Sequence, residues 1–280
     1  MWMWLVLFYG VMKGAREIVK KKALEKNTVI EVLFFYTLIS FLMVTPEAAQ
    51  AGGLSAMQLF RVAVKSFVIF IAWICSFIAI SRLPISFYGI LDLSRVLFAT
   101  LLGVVVMRET MSPLQILGLV LVCTGLLLLK QKKKSAQSEK VAPEYVLMAL
   151  VSCVLNAVSG LLDKILMKEM SSSQLQFWYM LFLVIYYAIY LLVTRTRLRW
   201  KSVLKNYWIW LLSLMFVLAD YALFVANGME ESRITIMTLL KQAGAIVTIL
   251  GGKFIFHEKN ILRKAVCAAV IIAGIVISVL

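Results

Sequence analysis

Apolar residues recur along the chain in runs of about 20, each followed by a short polar or charged stretch. The runs cover residues 1–20, 28–46, 62–82, 84–107, 112–130, 144–168, 174–194, 207–228, 232–256 and 260–280. As helices, runs of that length cross the roughly 30 Å hydrocarbon layer of a bilayer. The pattern therefore predicts an all-α polytopic membrane protein with ten transmembrane helices. The first run is the weakest. Its apolar core ends near Met12, and Lys13, Arg16 and Glu17 follow. It has no basic region ahead of it, so it does not read as a cleavable signal peptide. Without it nine spans remain, and the predicted side of the N-terminus reverses.

The same layout occurs twice. Gly103, Glu109 and Gly125 are matched 149 residues later by Gly252, Glu258 and Gly274. Each triplet lies on an apolar run, a charged turn and a second apolar run. Between the halves, residues 131–143 form the longest clearly polar stretch, rich in Lys and Ser, which reads as a cytoplasmic linker. The expected organisation is a first five-helix repeat over 1–130, the linker, and a second five-helix repeat over 144–280. An odd number of helices per repeat gives the two copies opposite orientation, so the duplication is of the inverted type.

Composition agrees with the membrane assignment: 62% of residues are hydrophobic and only 15% charged. The net charge of +15 suggests nucleic acid until its placement is considered. Lys and Arg concentrate in alternate connections, at 13–26, 130–140, 195–205 and 253–264, whereas one intervening connection carries Glu230 and Glu231. This is the positive-inside pattern. It predicts a plasma or inner membrane protein with cytoplasmic basic loops and both termini outside, and no nucleic-acid partner. The four cysteines (Cys75, Cys123, Cys153, Cys267) lie in apolar runs without C-x-x-C spacing, and read as small buried residues.

Ionisable side chains at mid-bilayer are costly and normally face a cavity or a partner. Asp92, Arg95, Asp220 and Lys241 are such residues. Asp92 and Lys241 share the 149-residue offset and should face each other across one cavity. Polar stripes at helical spacing extend the set: Ser152, Asn156, Ser159 and Asp163; Ser213, Asp220 and Asn227; Thr238, Lys241, Ala245, Thr248 and Gly252; Tyr88, Asp92, Arg95 and Ala99. Lipid cannot satisfy such stripes, so they should line a common wet interior. The candidate substrate-binding residues are Trp73, Tyr88, Asp92, Arg95, Asn156, Ser159, Asp220, Tyr221, Lys241 and Gln242. Lys241 and Arg95 suit a carboxylate. Asp220 or Asp92 suits an ammonium or a coupling proton. The bland alternative is mutual neutralisation: Asp92 and Arg95 are three apart on one helix face. Trp73, Phe77 and Tyr221 read either as an aromatic wall or as plain packing. Tyr186, Tyr187, Tyr190, Trp2, Trp4, Trp200, Trp208 and Trp210 read as an interfacial belt. Glu109 and Glu258 read as caps that orient the turn into the next helix. Gly10-x-x-x-Gly14 matches a small-x-x-x-small pattern interrupted by Lys13, and Gly118/Gly125 with Ala265/Gly274 suit close helix packing.

Each half closes on a helix, a short turn with Glu and a helix with Gly: GVVVMRETMSPLQILGLVLVCTG and GKFIFHEKNILRKAVCAAVIIAG. This layout resembles the EamA-type branch of the drug/metabolite transporter superfamily over nearly the whole chain. The resemblance implies ten helices in two inverted repeats around a central cavity, and no bound cofactor. It also implies a substrate among amino acids, other small metabolites, nucleotide sugars or drugs. Many members carry a proline mid-way along the fourth and ninth helices, where this chain has Arg95 and Gly244. No H-E-x-x-H, G-x-S-x-G or Walker A pattern is present, and His257 is the only histidine. An enzyme is therefore not expected. The expected function is secondary transport, with export of an amino acid or related solute favoured. Efflux of cationic drugs or quaternary amines is the alternative within transport, and a lipid flippase or accessory subunit the alternative outside it. Proton coupling, sodium coupling and plain exchange all fit, and so do a monomer and a dimer.

Overall fold

The computed structural model describes residues 2–107, 111–129, 142–227, 229 and 240–279. Among the described residues there are helices and no strand. In chain order they are α1 (Trp2–Leu24), α2 (Val29–Val44), a 3₁₀ turn (Thr45–Gln50), α3 (Ala56–Arg82), α4 (Ile85–Asp92), α5 (Ser94–Met107), α6 (Pro113–Leu129), α7 (Pro143–Leu166), α8 (Ser172–Val193), α9 (Trp200–Lys205), α10 (Tyr207–Asn227), α11 (Ala243–Phe254) and α12 (Ile261–Val279). Among the described residues four segments are long and apolar enough to cross a membrane: Ala56–Arg82, Ile85–Val106, Pro143–Asp163 and Ser172–Val193. Shorter apolar helices cover Val29–Val44, Pro113–Leu129, Tyr207–Leu223 and Ala243–Phe254. Glu109, Glu230, Glu231, Thr238 and most of the predicted linker lie outside the described residues.

Polar residues ahead of the apolar runs set where several helices begin. Thr28 with Glu31, Ser55 with Gln58 and Ser171 with Gln174 form reciprocal capping boxes at the starts of α2, α3 and α8. The Ser55 cap starts α3 six residues ahead of the apolar run expected from residue 62. Pro143, the last residue of the expected linker, is instead the first residue of α7, where its missing N–H costs nothing.

The largest departure from expectation is α1. It continues unbroken through the charged stretch to Leu24, 23 residues in all. At 1.5 Å per residue that is about 35 Å, enough to span. Lys13, Arg16 and Lys20 therefore belong to a helix and not to a basic loop.

The fourth run is interrupted at Leu93, with i→i+3 bonds from Leu93 N to Ile90 O (3.2 Å) and from Val96 N to Leu93 O (3.2 Å). A second interruption falls at Gln242, ahead of α11. Neither break contains a proline, and the two positions are 149 residues apart.

Contacts between the halves come in matching sets. α1 packs on α10 and α11, α7 packs on α3 and α5, α6 packs on α12, and α2 packs on α8. Small residues permit the closest crossings. A Cβ on Gly14 would lie 2.7 Å from the Gly244 Cα, and one on Gly244 would lie 2.8 Å from the Gly10 carbonyl oxygen. The interrupted Gly10-x-x-x-Gly14 pattern is therefore a helix crossing, with Lys13 turned to another side. A Cβ on Gly274 would meet the Gly118 carbonyl oxygen at 2.6 Å, which puts the close packing of α6 and α12 within one chain.

Two ends are tied differently. At one, Glu31 accepts from the Arg199 side chain (2.8 and 3.0 Å) and backbone (3.0 Å), bonds that raise the Arg199 pKa above its ordinary value. Glu258 accepts from the Ile85 and Ser86 backbone N–H groups, the Ser86 hydroxyl and Lys264. Glu258 thus caps α4, in the other half of the chain, and not the helix that follows it. At the opposite end Arg61 pairs with Glu169 (2.6 Å) and Lys65 with Asp163 (3.0 Å), joining α3 to the α7 end. Two aromatic assignments change as well. Tyr187 is fully buried against Phe70, with ring centroids 4.9 Å apart, and Trp2 packs beside Val6 and Ala226. Both are core residues because a neighbouring helix covers them.

Candidate functional site

Four charges on α1 define the interior. Lys13, Arg16, Glu17 and Lys20 recur at three- and four-residue intervals, so one helix face presents them together. That face borders a cavity of about 90 Å³. The other lining residues are Tyr9 from α1, Tyr36 from α2, Trp73, Ser76 and Phe77 from α3, Tyr88 from α4, Arg95 from α5, Asn156 from α7, and Leu212 and Phe216 from α10. Both halves of the chain contribute. A second cavity of about 20 Å³ lies beside the first, between α1, α4 and the start of α11. Its lining includes Lys13, Glu17, Asp92, Lys241, Gln242, Gly244 and Thr248.

The charges are held in a chain of contacts. Lys13 Nζ lies 2.9 Å from Asp92 Oδ2, and Arg95 Nη2 lies 2.7 Å from Asp92 Oδ1. Asp92 thus joins α1 to the α4–α5 break with both oxygens occupied. Arg16 Nη1 stands 3.7 Å from Asp220 Oδ1, an ion pair without hydrogen-bond geometry. Lys20 donates to both oxygens of Glu17 at 2.7 and 2.8 Å. Aromatic faces take up further cationic charge: Arg16 lies 5.1 Å from the Phe216 ring centroid, Lys20 4.6 Å from Phe77, and Lys241 5.8 Å from Tyr9. Tyr36, Trp73 and Phe216 pack edge and face together, with centroids 5.4 to 6.1 Å apart. The Tyr88 hydroxyl bonds the Ser76 hydroxyl at 2.6 Å.

The sequence candidates divide by position. Trp73, Tyr88, Arg95 and Asn156 line the larger cavity; Asp92, Lys241 and Gln242 line the smaller. Asp220 is reached through Arg16. Ser159 is buried and lines neither cavity. Tyr221 is 65% exposed and lines neither, so the aromatic wall consists of Trp73 and Phe77 with Tyr36 and Phe216 in its place. Ser213 is spent on carbonyl oxygens of Tyr36 and Ile209. Lys13, Arg16, Glu17 and Lys20 were absent from the candidate set, although their spacing already placed them on one helical stripe. Within the expected first span, 1–20, the apolar core ends near Met12, and the charges that follow read as a weakness of the span and not as a site.

Comparison with known proteins gives two findings. The family model described as the EamA-like transporter family matches residues 1–130 and 144–280. A protein of known crystal structure is similar to 96% of this chain and 95% of its own, with a TM-score of 0.58 and 17% sequence identity, a likeness that concerns the fold alone. No curated protein matches the chain.

Proposed function

The chain belongs to the EamA-like transporter family, a family of membrane transporters of small solutes, and on that premise we propose that it is a secondary transporter working by alternating access. The observation that carries the reading is the charged α1 face beside a cavity lined from both halves of the chain. Ionisable groups inside a membrane are expensive, and eight of them at or next to two adjoining cavities point to a solute pathway. The proposed organisation is ten spans in two inverted repeats. The paired breaks at Leu93 and Gln242 and the matched packing of α1 and α7 support it. The basic connections face the cytoplasm, and the direction is export.

The substrate in this reading is a small polar organic solute that bears a carboxylate. A cavity of about 90 Å³ suits a small head group in this conformation. Efflux of cations finds less support, because Glu17, Asp92 and Asp220 each have a cationic neighbour. The test is solute flux in proteoliposomes made with purified protein, driven in turn by a pH gradient, a sodium gradient and internal counter-substrate. Flux that depends on the protein is expected with one of these drives. Absence of flux with all three, across a broad metabolite panel, overturns the transporter reading.

A further inference from the structure

Resting on the transporter reading, we infer that the α1 cavity selects a small soluble anion, a carboxylate or phosphate carrying excess negative charge, and not a zwitterion or cation. The charge inventory leads there first. Around the two cavities stand five cations (Lys13, Arg16, Lys20, Arg95 and Lys241) and three carboxylates (Glu17, Asp92 and Asp220), among the described residues. The balance is two positive charges around cavities set between the helices. An anion would compensate that excess, and a cation would add to it.

Hydrogen bonding points the same way. Both Asp92 oxygens and both Glu17 oxygens already bond cations, so an incoming ammonium would have to displace Lys13, Arg95 or Lys20. The donors are not all used. Arg16 Nη1 and Arg95 Nε are buried and lack hydrogen-bond partners among the described residues, and both arginines line the larger cavity. A guanidinium edge matches two oxygens of a carboxylate or phosphate. A buried donor left without an acceptor is costly, so a ligand that supplies one binds with that cost recovered. Tyr36, Trp73 and Phe216 line the same cavity, with Arg16 5.1 Å from the Phe216 ring centroid, and offer aromatic surface to an apolar or planar remainder.

The experiment is a thermal-shift and flux panel on the purified full chain. The probes are succinate, inorganic phosphate, alanine, tetramethylammonium and the soluble lipid dioctanoyl phosphatidylglycerol. Succinate or phosphate should raise the midpoint and compete in flux, since a ligand of the folded state stabilises it by mass action. Arg16→Lys keeps the charge near Asp220 and removes the guanidinium fork. It should bind the effective anion roughly tenfold more weakly, the loss of about one charge-assisted hydrogen bond. Arg95→Lys, which retains a cation for Asp92, should do the same. Equal or stronger stabilisation by alanine or tetramethylammonium overturns the inference. So does stabilisation by the lipid alone, or unchanged anion affinity in both lysine variants. Protein-dependent alanine flux without anion binding sinks the anion assignment while leaving transport intact. Anion binding without flux of any probe upholds the assignment and counts against transport.

Discussion

α1 and α7 each open one half of the chain, and each packs on two helices of the other half, yet they bring opposite chemistry to the interior. α7 satisfies its polar groups nearby. Asn156 Nδ2 donates to the Ser152 carbonyl at 2.7 Å and to its hydroxyl at 3.2 Å, and Cys153 Sγ approaches the Leu91 carbonyl at 3.6 Å. Its interhelical ion pair, Asp163 with Lys65, lies at the far end. α1 reaches to other helices: Lys13 to Asp92, Arg16 to Asp220, and Lys20, which pairs with Glu17 on α1 itself, to the Phe77 ring. A buried charge cannot be satisfied by its own backbone, so it ties its helix to others. A buried Ser or Asn can bond the preceding turn and leave its helix a plain wall. The two helices thus show how one packing role supports a charged site on one side and a neutral surface on the other.

The contrast can be broken most severely at Arg16. Arg16→Leu leaves Asp220 without its cation and should cost about 3–5 kcal/mol of stability. A detergent thermal melt should register this, and the double variant Arg16→Leu/Asp220→Leu should recover most of the loss. If the double variant is no more stable than the single one, the ion pair is not what holds α1 to α10. Next comes the helix crossing. Gly14→Val places a branched side chain against the Gly244 backbone and the Val247 side chain, and should cost about 1–3 kcal/mol or more. A melting temperature equal to wild type would show that α1 and α11 do not cross at Gly14. On α7, Asn156→Ala removes bonds that never leave the helix and should cost about 1 kcal/mol; a loss as large as that of Arg16→Leu would erase the contrast. The smallest change is expected at Gly160, also on α7, where an added Cβ meets nothing within 4 Å. Gly160→Ala should raise stability by about 0.5–1 kcal/mol through helix propensity. A drop in melting temperature there would mean that an unseen surface packs on α7.

Legibility followed the kind of interaction involved. Asp92, Arg95 and Lys241 were visible because a charge inside an apolar run needs a reason, and each lines a cavity. Lys13, Arg16, Glu17 and Lys20 were hidden by the same rule, since four charges in succession resemble the end of a span. Tyr221 follows Asp220 in sequence, but one residue is about 100° of helical turn, which carries its ring to the outside. Glu258 was recognisable as a cap. That it caps α4 and not its own neighbour depends on which helix ends meet, and local sequence does not contain that.

Membrane class and family followed from the one-dimensional pattern alone, because hydrocarbon thickness imposes a run length that chance rarely repeats and the family match spans both halves. The repeated Gly–Glu–Gly spacing and the central polar stretch were also legible there, as an expectation of duplication. Only the tertiary structure decided that α1 continues through its charges, that Gly10 and Gly14 cross at Gly244, and which cation meets which carboxylate. The physical reason is desolvation: a lysine or arginine in an apolar helix is a defect or a site according to what the other helices bring within about 3–4 Å of it, and that distance is a property of packing.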